Sequence, residues 1–312
     1  MIAGTQDAPP GWYYRLSEYF KDKFCQPVYK IPIDAGFTCP NRDGTISHSG
    51  CSFCYNPSFS YQSARTEHNS VKEQIRQGKS KKPGSLYLAY FQSYTNTYAS
   101  IDKLKAMYNE ALEVPDIVGM SIATRPDCVP EEVLNLIQGY SKNKLVWLEY
   151  GLQTKHDQTL LAINRGHDYN AFIKALHKTQ ARGIETCAHI ILGLPGETKP
   201  MMIETIKALN RLNVNGVKFH HLQVIEQTVM AKQYKGKMFK TFKTLSEYIP
   251  LLADCIEHLN KNIVIHRLAS QVVDRKLLIA PHWPESSGQI ASILTSELVA
   301  RQSWQGKMSL EN

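Results

Sequence analysis

The 312-residue chain has no apolar run approaching the roughly 18 residues that a membrane helix requires. Met1 to Pro10 is polar and lacks the apolar core of a secretion signal, so the sequence predicts a cytoplasmic protein. A reducing compartment in turn disfavours disulfides. There is no internal repeat and no low-complexity tract. Cysteine is sparse, and four of the seven (Cys25, Cys128, Cys187 and Cys255) stand far apart. They read as small buried hydrophobes and exclude a second metal motif. Negative charge is in deficit: 36 Lys and Arg stand against 28 Asp and Glu, a net charge of +8. That suits an anionic partner such as RNA, although enzymes with phosphate-bearing ligands are equally basic.

What is present is concentrated in one loop. Residues 36–54 hold Cys39, Cys51 and Cys54 with spacing C-x11-C-x2-C. Three thiols this close can bind zinc with a fourth ligand, hold an iron–sulfur cluster, or form a disulfide with one thiol left over. Zinc would need His48 to complete a four-ligand set. The loop alone leaves these readings open.

Around it, apolar strand-length runs alternate with helical periodicity. A short amphipathic helix over 11–25 precedes a strand over 28–35. Further strands are predicted at 85–92, 117–123, 145–152, 185–192 and 216–222. Helices are predicted over 64–80, 100–113, 130–140, 157–163, 169–182 and 199–212. Helical stretches near 244–260 and 286–303, with a short strand at 262–266, close the chain. Six strand–helix units predict an α/β fold, a partial (β/α)6 TIM-like barrel of parallel strands with right-handed crossovers. We divide it into an N-terminal helical segment (1–27), a core barrel (28–225) and a C-terminal extension (226–312). The extension opens on 229–245, where five lysines interleave with Tyr234, Phe239 and Phe242. That pattern fits a grip on single-stranded RNA, or simply a solvated surface segment.

Ligands of such barrels gather at the carboxyl ends of the strands. There the apolar runs break into Gln92 to Asn96, Thr124 to Asp127, Glu149 to Thr154, Gly193 to Thr198 and His220 to Gln223. The cysteine loop follows the first strand and belongs to the same face.

Seven collinear motifs now carry a resemblance. They are Cys-Pro-Asn-Arg-Asp-Gly-Thr (39–45), Gly-Cys-Ser-Phe-Cys (50–54), Tyr-Phe-Gln-Ser-Tyr-Thr-Asn-Thr (90–97), Thr-Arg-Pro-Asp-Cys-Val (124–129), Glu-Tyr-Gly-Leu-Gln-Thr (149–154), Ile-Asn-Arg-Gly-His (163–167) and Gly-Leu-Pro-Gly-Glu (193–197). With them the chain resembles the radical S-adenosylmethionine enzymes, in the branch that includes the radical domain of the Elongator catalytic subunit. The likeness runs from about residue 12 to about residue 285. The common motif of that superfamily is C-x3-C-x2-C; the longer first gap here is a feature of this subfamily.

The resemblance implies that Cys39, Cys51 and Cys54 ligate a [4Fe–4S] cluster with one open iron, where S-adenosylmethionine binds and is reductively cleaved to a 5′-deoxyadenosyl radical. It places Phe53 near the adenine. It puts Gln92, Ser93 and Tyr94 where relatives hold the methionine amino group, although the usual glycines are absent. Thr124, Arg125 and Asp127 end the third strand, with Arg125 offering a fork to the cofactor carboxylate. Glu149 and Gln153 would meet ribose hydroxyls or line the substrate pocket, and the backbone at Gly193 would pass the adenine. His189, His220 and His221 face the site by position, and Asn164 to His167 receives no chemical role. A tRNA substrate, modified on its wobble uridine, is implied by the Elongator likeness, and a flavodoxin or ferredoxin as reductant. No auxiliary iron–sulfur centre is expected. A peptide or small metabolite is the rival substrate, and a zinc-stabilised RNA-binding protein without catalysis the rival class.

Overall fold

The computed structural model describes residues 11–60 and 69–309. In chain order its elements are α1 (Leu16–Phe24), β1 (Val28–Ile33), α2 (Val71–Lys79), β2 (Leu86–Phe91), α3 (Ile101–Leu112), β3 (Ile117–Thr124), α4 (Glu131–Ser141) and β4 (Leu145–Gln153). There follow α5 (Asp157–Ala162), α6 (Tyr169–Gln180), β5 (Glu185–Leu192), α7 (Lys199–Arg211), β6 (Gly216–His221), β7 (Val224–Ile225), α8 (Val229–Lys235), α9 (Leu245–His258), β8 (Val264–Arg267), β9 (Leu278–Ala280) and α10 (Ser287–Ala300). Of the helix expected over 64–80, residues 64–68 lie outside the described residues, as do residues 1–10 and 310–312 of the terminal segments.

Seven strands form one sheet in the order β1-β2-β3-β4-β5-β6-β8, and every pairing in it is parallel. The six strand–helix units read from the sequence are all there. The addition is β8, the short strand near the end, which pairs beside β6 and extends the same sheet. The hairpin-like pair β7 and β9 forms a small antiparallel sheet that the sequence reading did not separate from loop. Two-residue pairing is too short to leave a periodic signal.

The strands read as continuous apolar runs because both faces are covered. In β2 the whole of Tyr87 to Phe91 is buried, and in β4 the whole of Leu145 to Leu152. Outside, helices lay their apolar stripes on the sheet; α4 buries Val133, Leu134 and Ile137. Side-chain caps set several starts: Ser100 accepts from Lys103 N, Asp168 from Ala171 N, and Ser286 and Gln289 form a reciprocal capping box.

Inside the curl sits a second, separate apolar cluster of Val28, Leu88, Leu145, Trp147, Cys187 and Val264, closed by Phe20 of α1. Helix α1 is therefore a plug on the amino-terminal end of the barrel. The amphipathic pattern of 11–25 becomes helix only from Leu16. Before it, the chain runs beside β8, with Arg15 bridged to Ile265 and Ile265 N–H donating to Tyr14 O at 2.8 Å. Buried Gln305 staples this segment: its Oε1 accepts from Tyr14 N at 2.8 Å, and its Nε2 donates to Asn260 O and Ile263 O, each at 2.8 Å. No helix among the described residues is long and apolar enough to cross a membrane.

Candidate active site

Above the plug, the inward-facing positions change from apolar to charged. Glu149 on β4 is fully buried and takes Lys30 of β1 on Oε1 at 2.7 Å and His189 of β5 on Oε2 at 2.6 Å. Ser121 of β3 donates to Oε1 and Lys218 of β6 to Oε2. Lys218 Nζ also donates to Tyr90 Oη at 3.0 Å and lies 4.3 Å from the centre of that ring. His266 of β8 brings Nδ1 within 3.6 Å of Glu149 Oε1. Burial alone would raise the Glu149 carboxyl, but the Lys218 and Lys30 charges hold it well below the usual range. Burial lowers both lysines in turn. It also brings His189 down to about 4, with the Lys218 charge adding to the effect.

Sequence reading missed Lys30 and Lys218. A signal existed, since each is a lone lysine inside an apolar strand at a position whose alternation points inward. Six strands, β1 to β6, must curl together before those positions meet.

A cavity of about 490 Å³ opens over this charged layer and ends at the cysteine loop. Cys39, Cys51 and Cys54 all line it. So do Phe53, Gln92, Tyr94, Thr124, Arg125, Glu149 and Gln153, with His189, His220 and His221. Tyr94 and Gln153 turn away from their strands with φ of 63° and 75°, conformations found disproportionately at functional sites. Phe53 also packs with a cluster containing Ile191 and Leu222. His221 leans away, its ring 4.2 Å from that of Trp283.

Three expected residues do not line the cavity. Ser93 is buried and is not part of the lining. Gly193 sits under Phe242, whose ring would lie 2.6 Å from an added Cβ, and its N–H faces Met202 Sδ at 3.2 Å. Asp127 lines a larger, shallow groove of about 730 Å³ outside the loop, which contains none of the three clustered thiols. Asp127 instead takes Arg125 bidentately, Nε–Oδ1 at 2.9 Å and Nη2–Oδ2 at 2.7 Å. Burial alone would raise its carboxyl, and the bonds from Arg125 bring it below the usual range. The Arg125 fork is thus used within the protein, and its Nη1 donates to Arg165 O at 2.9 Å.

The loop is held by the motif that carried no role in the sequence. Asn164 Nδ2 donates to Gly50 O at 2.7 Å and to Ser49 Oγ at 3.1 Å. Asn164 O accepts from Asn41 Nδ2 at 2.7 Å, and Ser52 N–H donates to Ile163 O at 2.9 Å. Arg165 Nη2 donates to Gly151 O at 2.7 Å while its Nη1 reaches Cys51 Sγ at 3.5 Å, as does Asn41 Nδ2. Gly151 is needed for this, because an added Cβ would lie 2.7 Å from Arg165 Nη2. Arg42 Nη2 donates to Cys54 O. The eleven-residue gap therefore folds back as a brace: Arg42 N–H and Asp43 N–H both return to Cys39 O, at 2.8 and 3.1 Å.

Three thiols that line one cavity are the donor type of an iron–sulfur cluster. His48, the fourth ligand of the zinc reading, is exposed and packs its ring against Gly44. Burial and the neighbouring Cys51 push the Cys54 thiol up to about 11, so the trio needs cationic partners to ionise; Arg42 and Arg165 act in that direction.

Comparison with known proteins decides the reading. The model of the Radical SAM superfamily matches residues 39–209, and that of the Radical_SAM C-terminal domain residues 214–298. The chain belongs to the radical SAM superfamily. Its cofactors are accordingly a [4Fe–4S] cluster and S-adenosylmethionine. This radical SAM chain is 38% identical over 306 residues to YtqA of Bacillus subtilis, covering 95% of the chain and 92% of that protein. It is 27% identical over 129 residues to a tRNA uridine(34) acetyltransferase of Methanocaldococcus infernus, covering 40% of the chain and 24% of that enzyme. The archaeal Elp3 of the same organism shares the radical SAM fold with a TM-score of 0.67 at 18% identity, over 89% of this chain and 64% of that one.

Proposed function

We propose that the protein modifies tRNA at the side chain of the wobble uridine by radical chemistry in the 490 Å³ cavity. What carries the reading is one cavity joining the three thiols to strand-end polar groups, in a chain whose relatives include a tRNA uridine(34) acetyltransferase. The net charge of +8 favours a polyanionic substrate. So do the exposed or half-exposed Lys232, Lys235, Lys237 and Lys240, on and just after α8.

Cys39, Cys51 and Cys54 hold the cluster, and Phe53, Gln92, Tyr94, Thr124 and Gln153 form the wall for S-adenosylmethionine. Bound there, the two cofactors supply reductive carbon–sulfur cleavage and a hydrogen-abstracting radical. Arg42, Arg165 and Asn41 orient the loop and direct N–H groups toward Cys51 or its neighbours; hydrogen bonds to ligating sulfur tune a cluster's potential. The α1 plug and the apolar cluster beneath exclude water from the closed end. Electrons would come from a flavodoxin or ferredoxin.

The test is mass spectrometry of tRNA nucleosides from cells with and without the gene. A nucleoside lost in the deletion and restored by the wild-type gene, but not by Cys51→Ala, is the expected result. Identical nucleoside profiles would sink the tRNA reading and leave a peptide or metabolite substrate.

A further inference from the structure

We propose that the floor of the cavity is a subsite for a small oxyanion of the substrate, a carboxylate or a phosphate, held by the Arg267 guanidinium and His220 Nε2 above the Lys30–Lys218 pair. The inference rests on reading this cavity as the active site and names what its deep end recognises.

Charge at the floor does not balance. Lys30, Lys218 and Arg267 supply three cations around the barrel interior, and Glu149 is the single carboxylate among them. The neighbouring histidines do not change that count, since burial holds His189 at about 4 and His266 at about 3, both neutral at physiological pH. Nor can Glu149 repel an incoming anion strongly. Its Oε1 is engaged by Lys30 and Ser121, and its Oε2 by His189 and Lys218.

The free donors are what the site offers. Arg267 lines the cavity and, among the described residues, makes no hydrogen bond or ion pair of its own, although its charge is felt by Tyr90, Lys218, His189 and His220. His220 Nδ1 lies 2.9 Å from Ser270 Oγ, and its Nε2 is buried with no partner. In the tautomer that carries its hydrogen on Nε2, Ser270 donates to Nδ1 rather than to His221 O, 3.4 Å away, and Nε2 is a donor without an acceptor. A guanidinium without an ion pair beside a buried nitrogen without a partner is a ready site for an anion. The thiol rim has its own arginines, Arg42, Arg125 and Arg165, so the floor is a second and separate cationic end. A substrate bridging the two ends would have its acidic group fixed at Arg267 and its reacting carbon toward the rim.

Titration calorimetry on the full-length, cluster-reconstituted protein tests this, with inorganic phosphate in one arm and malonate in the other. Saturable binding of either supports the site; tighter phosphate points to a phosphate-bearing substrate, tighter malonate to a carboxylate. Arg267→Gln should weaken that binding about tenfold or more, with thermal midpoint and iron content as in the wild type. Lys174→Gln, in the outer groove, should bind as the wild type does. If Arg267→Gln folds poorly, His220→Asn replaces it, with a smaller loss of affinity expected. No saturable binding of either anion, or wild-type binding by the variants, overturns the proposal. That result would leave the tRNA comparison untouched, just as unchanged tRNA nucleosides would leave anion binding at the floor intact.

Discussion

The rim and the floor of the cavity hold charge in opposite ways. At the rim, cations and thiols come from loops, and buried Asn41, Arg125, Arg165 and Cys51 stand beside half-buried Cys39, Arg42, Cys54 and Asn164. Arg42 and Asn164 brace backbone, and Asn41 meets both backbone and the Cys51 sulfur. At the floor, Glu149 and Lys218 are buried, Lys30 sits beside them, and each is lodged in a different strand. The rim can be rebuilt locally around a bound group. The floor has paid its desolvation in advance and is rigid because removing any member strands the others.

The largest break of that comparison is at the rim. Cys51→Ala should abolish cluster retention and dithionite-dependent release of 5′-deoxyadenosine, with circular dichroism unchanged. Iron analysis and product assay under anaerobic conditions check it; iron retained at the wild-type level would remove Cys51 from the ligand set. Next comes the floor. Glu149→Gln leaves Lys30 and Lys218 without their counter-charge and should cost about 3–5 kcal/mol of stability in denaturant unfolding. A loss under about 1 kcal/mol would mean the pair is solvated rather than desolvated.

Acid should separate the regions as well. His189, His221 and His266 are held at about 4, about 3 and about 3 by burial, the Lys218, Lys30 and Arg267 charges adding for the two that face Glu149. A depressed histidine keeps the folded state neutral while the unfolded chain takes up a proton. Its contribution is therefore complete above the unfolded value near 6.5 and falls as pH drops below it, by up to about 1.4 kcal/mol per pH unit for each residue. Glu149, also depressed, adds a loss of the same sign below its unfolded value near 4.5. Unfolding free energy should fall steadily from pH 6.5 to pH 4.5; a flat profile there would contradict buried neutral histidines. The smallest effect is expected at Asn164→Ala. It removes one side-chain brace on Gly50 and Ser49 and should cost about 1 kcal/mol, while lowering iron retained per chain after reconstitution. Unaltered iron retention would show that the brace is redundant.

The fold was open to sequence reading because parallel strands covered on both faces are apolar without interruption, and Tyr87 to Phe91 or Leu145 to Leu152 announce themselves. The same logic hid β8 as a barrel strand: four residues after a long helix carry no mark of which sheet they join. It also read residues 11–15 as helix, where Arg15 bridges to Ile265 of β8 instead. At the rim, Cys39, Cys51, Cys54, Phe53, Gln92, Tyr94, Thr124 and Gln153 were found from motifs, and they do line one cavity. Asp127 and Gly193 were read as facing the same way, but one turns to Arg125 and the outer groove and the other packs under Phe242.

By itself the sequence determined the strand–helix alternation, the thiol trio and the face on which they stand, because periodicity and motif spacing are local properties of the chain. Only the tertiary structure decided that Asn164 and Arg165 brace the cysteine loop, and that Lys30, Lys218, His189 and His266 close around one carboxylate. The four partners of that carboxylate lie from 40 to 119 positions away from it in sequence, and inward alternation on separate strands brings them together only when the sheet curls.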